Sequence, residues 1–366
     1  MTEHDLSAGG DVMDRVRGCA RDALAAYGGH PGALLTPSPG GPIPPDPPGG
    51  ETTPPNPPGP TIELINVSEN ATFLVRDPDT GPSVLRVHRL GYHTEPEIAS
   101  ELAWMDALRA EAGVRTPRVL PAADGRRVVT VPEAAGAAER YCVRFEFLPG
   151  TEPGAGPADD PGLTAAHFAE LGEITARMHR HAREWSRPAW FTRFHWDYPA
   201  AFGGQARWGR WQDGIGVGPA EREILTRLDD VLRARLSVFG SGPDRYGLVH
   251  ADTRLANLLV HDGSVSVIDF DDAGFSWYLY DLGTTVSFFE HEPVVPALVD
   301  SWLEGYRRAG RLSAADEAEI WTFIMFRRLL LVAWIGSHRA VDIAAELGAG
   351  YTQGSCDLAE SYLSTH

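Results

Sequence analysis

Apolar residues recur at helical intervals between 12 and 27, at Val12, Met13, Val16, Ala20 and Leu24, and predict an amphipathic helix. The pattern then stops. Of the 24 residues from Pro37 to Pro60, 12 are proline and 5 are glycine. Such a stretch cannot build a core. It predicts an exposed polyproline-like or disordered segment, either a plain inserted loop or a docking element for an aromatic groove. From Thr61 the period shortens to that of strands: Thr61–Val67, Thr72–Arg76 and Ser83–His88, with a turn at residues 77–81 between the last two. Ile98, Leu102, Met105 and Leu108 mark the buried stripe of a helix over 95–112, which Thr94 and Glu97 open as a capping box. Two more strands follow, Arg126–Val131 and Tyr141–Phe147, before Leu148-Pro149-Gly150 breaks the run.

Beyond Gly150 the spacing is mainly helical, over 163–184, 219–237, 293–309, 314–336 and 338–347. One short β-hairpin interrupts it, Leu258–Val260 with Ser264–Ile268, turned by His261-Asp262-Gly263. No internal repeat is present. The expected architecture is therefore α+β. A small sheet lobe with one helix (61–148) precedes a larger helical lobe (149–366), and residues 1–60 supply a leading helix and the proline-rich insert.

Composition narrows the chemistry. The 366 residues carry 32 basic and 50 acidic side chains, a net charge of −18, which argues against a duplex-DNA or anionic-membrane binder. All 32 basic residues are arginine, so lysine Schiff-base chemistry and pyridoxal phosphate attachment are excluded. Any fixed cation in a site must be a planar, two-pronged guanidinium. Cys19, Cys142 and Cys356 lie far apart and form neither a metal spacing nor a disulfide framework, which fits a reducing cytosol. The acidic start lacks the features of a signal peptide. The longest apolar stretch, Leu329 to Gly336 after Arg327-Arg328, is too short to span a bilayer. A cytoplasmic protein with neither nucleic acid nor membrane as partner is expected.

The densest chemical signal runs from Leu248 to Asp271. It contains His250-Ala-Asp252, then Asn257 five residues after Asp252, then the hairpin and Asp269-Phe270. Phosphoryl transfer from a nucleotide requires this combination: one carboxylate to face the acceptor hydroxyl, and two oxygen ligands, from an Asn and an Asp, to hold magnesium on the triphosphate. The hairpin folds Asn257 back toward Asp269 although 12 residues separate them.

On these residues the chain resembles the aminoglycoside phosphotransferase and choline kinase-like family, the small-molecule relatives of protein kinases, over roughly residues 61–340. The resemblance implies a bilobal protein-kinase-like fold that uses ATP or GTP with Mg2+ in a crevice between lobes. It assigns Asp252 as the catalytic base and Asn257 and Asp269 as metal ligands. Arg254 would steady the transferred phosphoryl, and Asp281 would either brace the catalytic loop or simply cap a helix. The N-terminal lobe departs from the protein-kinase pattern. In place of a glycine-rich loop stands Ser68-Glu69-Asn70-Ala71-Thr72, from which Ser68 and Asn70 would cap phosphates. The strand lysine is replaced by Arg86, with Glu101 preferred over Glu97 as its partner acid. Glu146-Phe147-Leu148 would offer backbone groups of Glu146 and Leu148 to the purine.

Two further features bear on the acceptor. His179 and His181, two apart on a helix, face different directions and do not make a metal pair. Residues 185–211 carry Trp185, Trp190, Trp196, Trp208 and Trp211 with four other aromatic rings, as either a packed insertion or an aromatic wall for a sugar or organic cation. Asp197, Asp213, Asp271, Asp272, Glu290 and Glu292 are the acids available to meet amino groups. The expected activity is therefore transfer of a γ-phosphate to a small-molecule alcohol, such as an aminoglycoside, amino alcohol, homoserine or sugar. The alternatives are a Ser/Thr protein kinase on the same scaffold and a non-catalytic nucleotide-binding protein. Against the first, Ala251 replaces the arginine that would read a phosphorylated activation loop, and the Asp269–Asp281 interval is short.

Overall fold

The computed structural model describes residues 9–28, 34–36, 59–67, 70–133, 138–153, 164–339 and 341–365. Ser68 and most of the proline-rich segment (37–58) lie outside the described residues. The chain separates into two units, residues 1–103 with 117–149, and residues 104–116 with 150–366.

The first unit is built on a seven-stranded sheet. Helix α1 (Gly9–Ala26) and strand β1 (Leu34–Thr36) precede β2 (Thr61–Val67), β3 (Ala71–Asp77) and β4 (Gly81–Val87). Then come α2 (Glu95–Ala107), β5 (Val119–Leu120), β6 (Val129–Pro132) and β7 (Glu139–Glu146). The strand order is β1-β2-β3-β4-β7-β5, with β6 also on β7, and every pairing is antiparallel except β1 with β2. Strands β1 and β5 go beyond the sequence expectation, because three and two residues are too few to display a period. The turn between β3 and β4 forms as its residues require. Asp77 accepts from the Asp79 N–H and the Thr80 hydroxyl at 2.9 Å each, and Gly81 takes φ 82°.

Alternation along the central strands divides the sheet into two faces. Phe73, Val75, Leu85 and Val87 are buried in one cluster with Val16, Cys19, Ala20, Ala23, Leu24 and Tyr27 of the N-terminal helical segment. The Tyr27 hydroxyl lies 3.2 Å from the Cys142 carbonyl, to which it donates, and accepts from the Arg144 N–H at 3.2 Å. A second helix is therefore bound into this core, where the sequence pattern had assigned one. Arg86, between Leu85 and Val87, necessarily points to the opposite face.

The second unit is mostly helical. It contains α3 (Ala165–Glu184), α4 (Tyr198–Phe202), α5 (Pro219–Phe239), β8 (Tyr246–Val249), β9 (Leu258–His261), β10 (Ser264–Val267) and β11 (Gly274–Trp277). Helices α6 (Leu279–Thr285), α7 (Val295–Ala309), α8 (Ala314–Glu317), α9 (Ile320–Ser337) and α10 (Asp342–Leu363) complete it. The single helix expected over 314–336 is interrupted. Ser313 and Asp316 cap the short α8, and Glu319 (φ −100°, ψ 1°) restarts the chain as α9. The helix expected to end at 347 instead bends at Gly348 (φ 45°) and continues to Leu363. The stretch Ala314–Ser337 is long and apolar enough to cross a membrane, yet 83% of its most apolar window is buried inside the protein, as befits a core helix.

Helices α3 and α7 approach through glycine. A Cβ built on Gly305 would lie 1.7 Å from the Ala169 carbonyl oxygen, and one on Gly172 would lie 2.0 Å from that of Trp302. Backbone cannot yield as a side chain can, so the helices would have to separate. Gly305→Ala is expected to lower the melting temperature by about 3–10 °C, from an overpacking cost of about 1–3 kcal/mol. By contrast, Gly18→Ala in α1, where nothing lies within 4 Å, should leave it unchanged or raise it. Thermal denaturation of the two variants checks both.

Candidate active site

Strand β8 leads directly into the His250–Asn257 loop. Within it the Asp252 N–H donates to His250 Nδ1 at 3.2 Å, so the ring carries its proton on Nε2, which faces the Ile268 carbonyl at 3.1 Å. Ala251 between them has φ 65°, a left-handed conformation costly for a residue with a Cβ. Buried Asp281 of α6 holds this bend. Its Oδ1 accepts from the Ala251 N–H at 2.7 Å and its Oδ2 from the His250 N–H at 3.2 Å. Thr253 adds a hydroxyl bond to the Asp281 carbonyl at 2.8 Å. Of the two expectations for Asp281, bracing the loop is the one its hydrogen bonds describe.

The Asp252 carboxylate accepts three side-chain hydrogen bonds among the described residues. Arg327 Nη2 reaches Oδ1 at 2.6 Å, while Asn257 Nδ2 (2.7 Å) and Arg254 Nε (3.1 Å) reach Oδ2. Burial pushes the Asp252 carboxyl up, but the Arg254 and Arg327 guanidiniums outweigh it and hold it below the ordinary value. Burial likewise opposes the charge on Arg327, and Tyr280 and Asp252 more than restore it.

Asn257 spends its amide protons on Asp252, on the carbonyl at 2.9 Å as well as on Oδ2, which leaves its own side-chain oxygen facing elsewhere. The β9–β10 hairpin turns through Asp262 (φ 49°) and Gly263 (φ 72°), the left-handed pair that the Asp-Gly sequence favours. Its register carries Asn257 opposite Ile268, whose N–H donates to the Asn257 carbonyl at 3.0 Å. Asp269 follows at φ 59°, again left-handed, and Phe270 packs on His250 (4.4 Å) and edge-on against Trp104 (5.6 Å). Two oxygen-bearing side chains thus leave neighbouring backbone positions. No cluster of three or more His, Cys, Asp or Glu is arranged to hold a metal among the described residues. Magnesium on a nucleotide needs none, because one or two protein oxygens suffice when phosphates and water supply the rest.

The Trp-rich stretch and the acids resolve into separate jobs. Trp196 and Trp211 are buried packing residues, and Trp190 is 54% exposed. Trp196 Nε1 donates to the Asp272 carbonyl at 2.8 Å, and Arg193 donates to the Asp271 and Ala273 carbonyls, so this segment clamps the loop after Asp269. Among the acids, Asp197 caps α4, Glu290 pairs with Arg328 at 2.5 Å, and Asp213 and Glu292 sit beside Arg210 and His291 at the surface. Asp271 is buried and Asp272 half-buried. His179 points at Asp281 and His181 at Glu111, the divergence their spacing requires. Strand β11 pairs with β8 and takes up four residues of the short Asp269–Asp281 interval.

In the first unit, Arg86 Nη2 and Glu101 Oε1 meet at 2.6 Å with both side chains buried, and the guanidinium lies over Phe145 at 5.1 Å. Glu97 accepts from the Thr94 N–H (2.8 Å), the backbone half of a capping box, and from the Thr94 hydroxyl (2.9 Å). Asn70 turns its side-chain oxygen to the Arg89 N–H at 3.1 Å. The Glu146 N–H is already bonded to the Arg118 carbonyl at 2.8 Å, and Leu148 lies two residues beyond the end of β7.

Arg327 is the residue that sequence reasoning missed at this site. Its one signal was an arginine pair inside an otherwise apolar helix.

A buried Asp252 carboxylate beside the Asn257–Asp269 hairpin, on an α+β, protein-kinase-like fold, points to a kinase-class enzyme acting on small molecules. The chain belongs to the phosphotransferase enzyme family (APH), whose model matches residues 61–319, and it is a phosphotransferase with an alcohol group as acceptor. The solved structure of a microcompartment-associated aminopropanol kinase is similar at 46% identity and TM-score 0.80, covering 95% of this chain and 98% of that one. Amicoumacin kinase of Bacillus subtilis (strain 168) is 25% identical over 276 residues, 72% of this chain and 76% of its own. The structure of the amicoumacin kinase hAmiN with AMP-PNP, Ca2+ and amicoumacin shares the fold at TM-score 0.66 and 22% identity, over 81% of this chain and 88% of that one.

The brace carries a pH dependence of stability. Fully buried His179 has Nε2 2.9 Å from Asp281 Oδ2 and Nδ1 3.0 Å from the Tyr306 hydroxyl. Burial lowers its pKa, and the Asp281 hydrogen bond only partly offsets this. The folded state therefore binds fewer protons than the unfolded chain, whose histidines titrate near about 6.5. Stability should be full above that pH and fall as the pH drops below it. Chemical denaturation at a series of pH values should show that slope, reduced in His179→Gln.

Proposed function

We propose that this enzyme transfers the γ-phosphoryl group of ATP or GTP to the hydroxyl of a small amino alcohol of the aminopropanol type. The single observation that carries the acceptor class is the 46% identity to the aminopropanol kinase over nearly the full length of both chains. The site chemistry is compatible with it. In this reading Asp252 accepts a hydrogen bond from the acceptor hydroxyl and aims its lone pair at phosphorus. A carboxylate already held by two guanidiniums is a weak base, so its contribution is orientation and late proton acceptance rather than early deprotonation.

Asn257, through the side-chain oxygen its amide bonds leave available, and Asp269 would hold Mg2+, which neutralises charge on the triphosphate when bound. Arg254, whose side chain is 23% exposed and whose Nε holds Asp252 Oδ2, would steady the transferred phosphoryl with its terminal guanidinium nitrogens. Arg86, fixed by Glu101, would grip the nucleotide phosphates with a forked donor where a lysine would give a point charge. Asn70, Glu146 and Leu148, with Ser68, complete the proposed nucleotide contacts. A cytoplasmic location fits a reducing-compartment chain with three free cysteines.

Incubation with ATP, MgCl2 and a panel of aminopropanol, homoserine, a hexose and an aminoglycoside, read by product mass, tests the reading. Aminopropanol should have the highest kcat/KM, and Asp252→Ala should lower it by about a thousandfold. Preferred phosphorylation of the aminoglycoside or the hexose would overturn the acceptor class. Near-native turnover by Asp252→Ala would overturn the assignment of the base.

A further inference from the structure

Arg327 is 2% exposed, in the middle of a helix whose residues from Thr322 to Ile335 are all buried. A cation in such a place must be answered on every side. Its three nitrogens are answered by three different residues: Nη2 by Asp252 Oδ1 at 2.6 Å, Nη1 by the Tyr280 hydroxyl at 3.0 Å, and Nε by the Ser287 hydroxyl at 3.1 Å. The Trp208 ring lies 5.2 Å from the guanidinium carbon. The next residue, Arg328, is equally buried but turns to Glu290, Ser355 and the Tyr351 carbonyl, with no hydrogen bond to Asp252.

An ionised carboxylate offers about four acceptor sites. Three are filled on Asp252, two on Oδ2 by Asn257 and Arg254 and one on Oδ1 by Arg327. The vacant site is therefore on Oδ1, beside the Arg327 donor. The Asp252 side chain is anchored from its own loop only through Oδ2, and its terminal torsion is intrinsically broad. The remaining direction is supplied from 75 residues further along the chain.

We propose that Arg327 is a positioning residue for phosphoryl transfer, acting through Asp252 by fixing the carboxylate so that its open Oδ1 site receives the acceptor hydroxyl. This rests on the reading of Asp252 as the base. Positioning of this kind is worth about a hundredfold when lost, and it falls on turnover, since all three Arg327 nitrogens are taken up within the protein.

The test uses the full-length enzyme with aminopropanol, ATP and MgCl2. Arg327→Met should lower kcat by about a hundredfold while KM for ATP stays within about twofold. Arg327→Lys, which keeps the charge and one donor, should recover about tenfold of that loss. In an Asp252→Asn background the Met change should move the residual rate by less than about threefold, because the two residues act as one unit. Arg328→Gln, which removes an equally buried cation, should reduce thermal stability with kcat within about threefold of the parent. Equal kcat losses in Arg327→Met and Arg328→Gln, a full effect persisting beside Asp252→Asn, or a loss confined to KM for ATP would each overturn the proposal. Should Arg327→Met not fold, the Lys variant carries the test: native kcat overturns it, and a reduced kcat with unchanged KM supports it. Absence of any transfer by the unaltered enzyme would overturn the reading of Asp252 with it, whereas additive losses in an active enzyme overturn the role of Arg327 alone.

Discussion

The bend at His250-Ala251-Asp252 exists because one buried carboxylate receives it. Asp281 takes two consecutive backbone N–H groups, from His250 and Ala251, and is itself backed by His179. Those donors would otherwise be buried without partners, and Ala251 would relax from its left-handed conformation. Every other placement in the loop follows from this one. His250 is turned so that its ring can accept from Asp252 and face Ile268, Thr253 is fastened to α6, and Asn257 arrives at the start of the hairpin. The brace is therefore the condition for a precise site, and its cost is an anion and an imidazole sealed from water.

A second layer of arginines and indoles surrounds that loop. Arg193 and Trp196 hold carbonyls of residues 271–273, and Arg327 spans Asp252, Tyr280 and Ser287. Many of the aromatic rings in this unit lie beside guanidiniums, as Trp208 does for Arg327 and Tyr351 for Arg328. In a chain without lysine this is a coherent solution. The planar, weakly hydrated guanidinium can be buried against a ring and still direct several donors, which an ammonium cannot do.

Much of this was legible in the residues, for identifiable reasons. The central strands and α2 announce themselves because their signals are local: period-two runs, an Asp-Gly turn, a Thr-x-x-Glu cap. The partnership of Arg86 with Glu101 followed from Glu97 having another task. What could not be read was non-local. The β8–β11 pairing joins short strands with no periodic signal of their own. Helix α1 shows an amphipathic face without saying what covers it. Arg327 looks like a misplaced charge until the fold brings Asp252 to it. Glycine spacing in α3 and α7 reveals a close approach only once both helices are seen.

The absence of lysine also decides which reagents can modify this enzyme. Nucleotide-directed acylating probes rely on a primary amine poised beside the triphosphate, and this chain has no side-chain amine anywhere. A guanidinium stays protonated at any physiological pH and is a poor nucleophile toward acyl donors. Profiling methods built on acylation of a lysine would pass this kinase by.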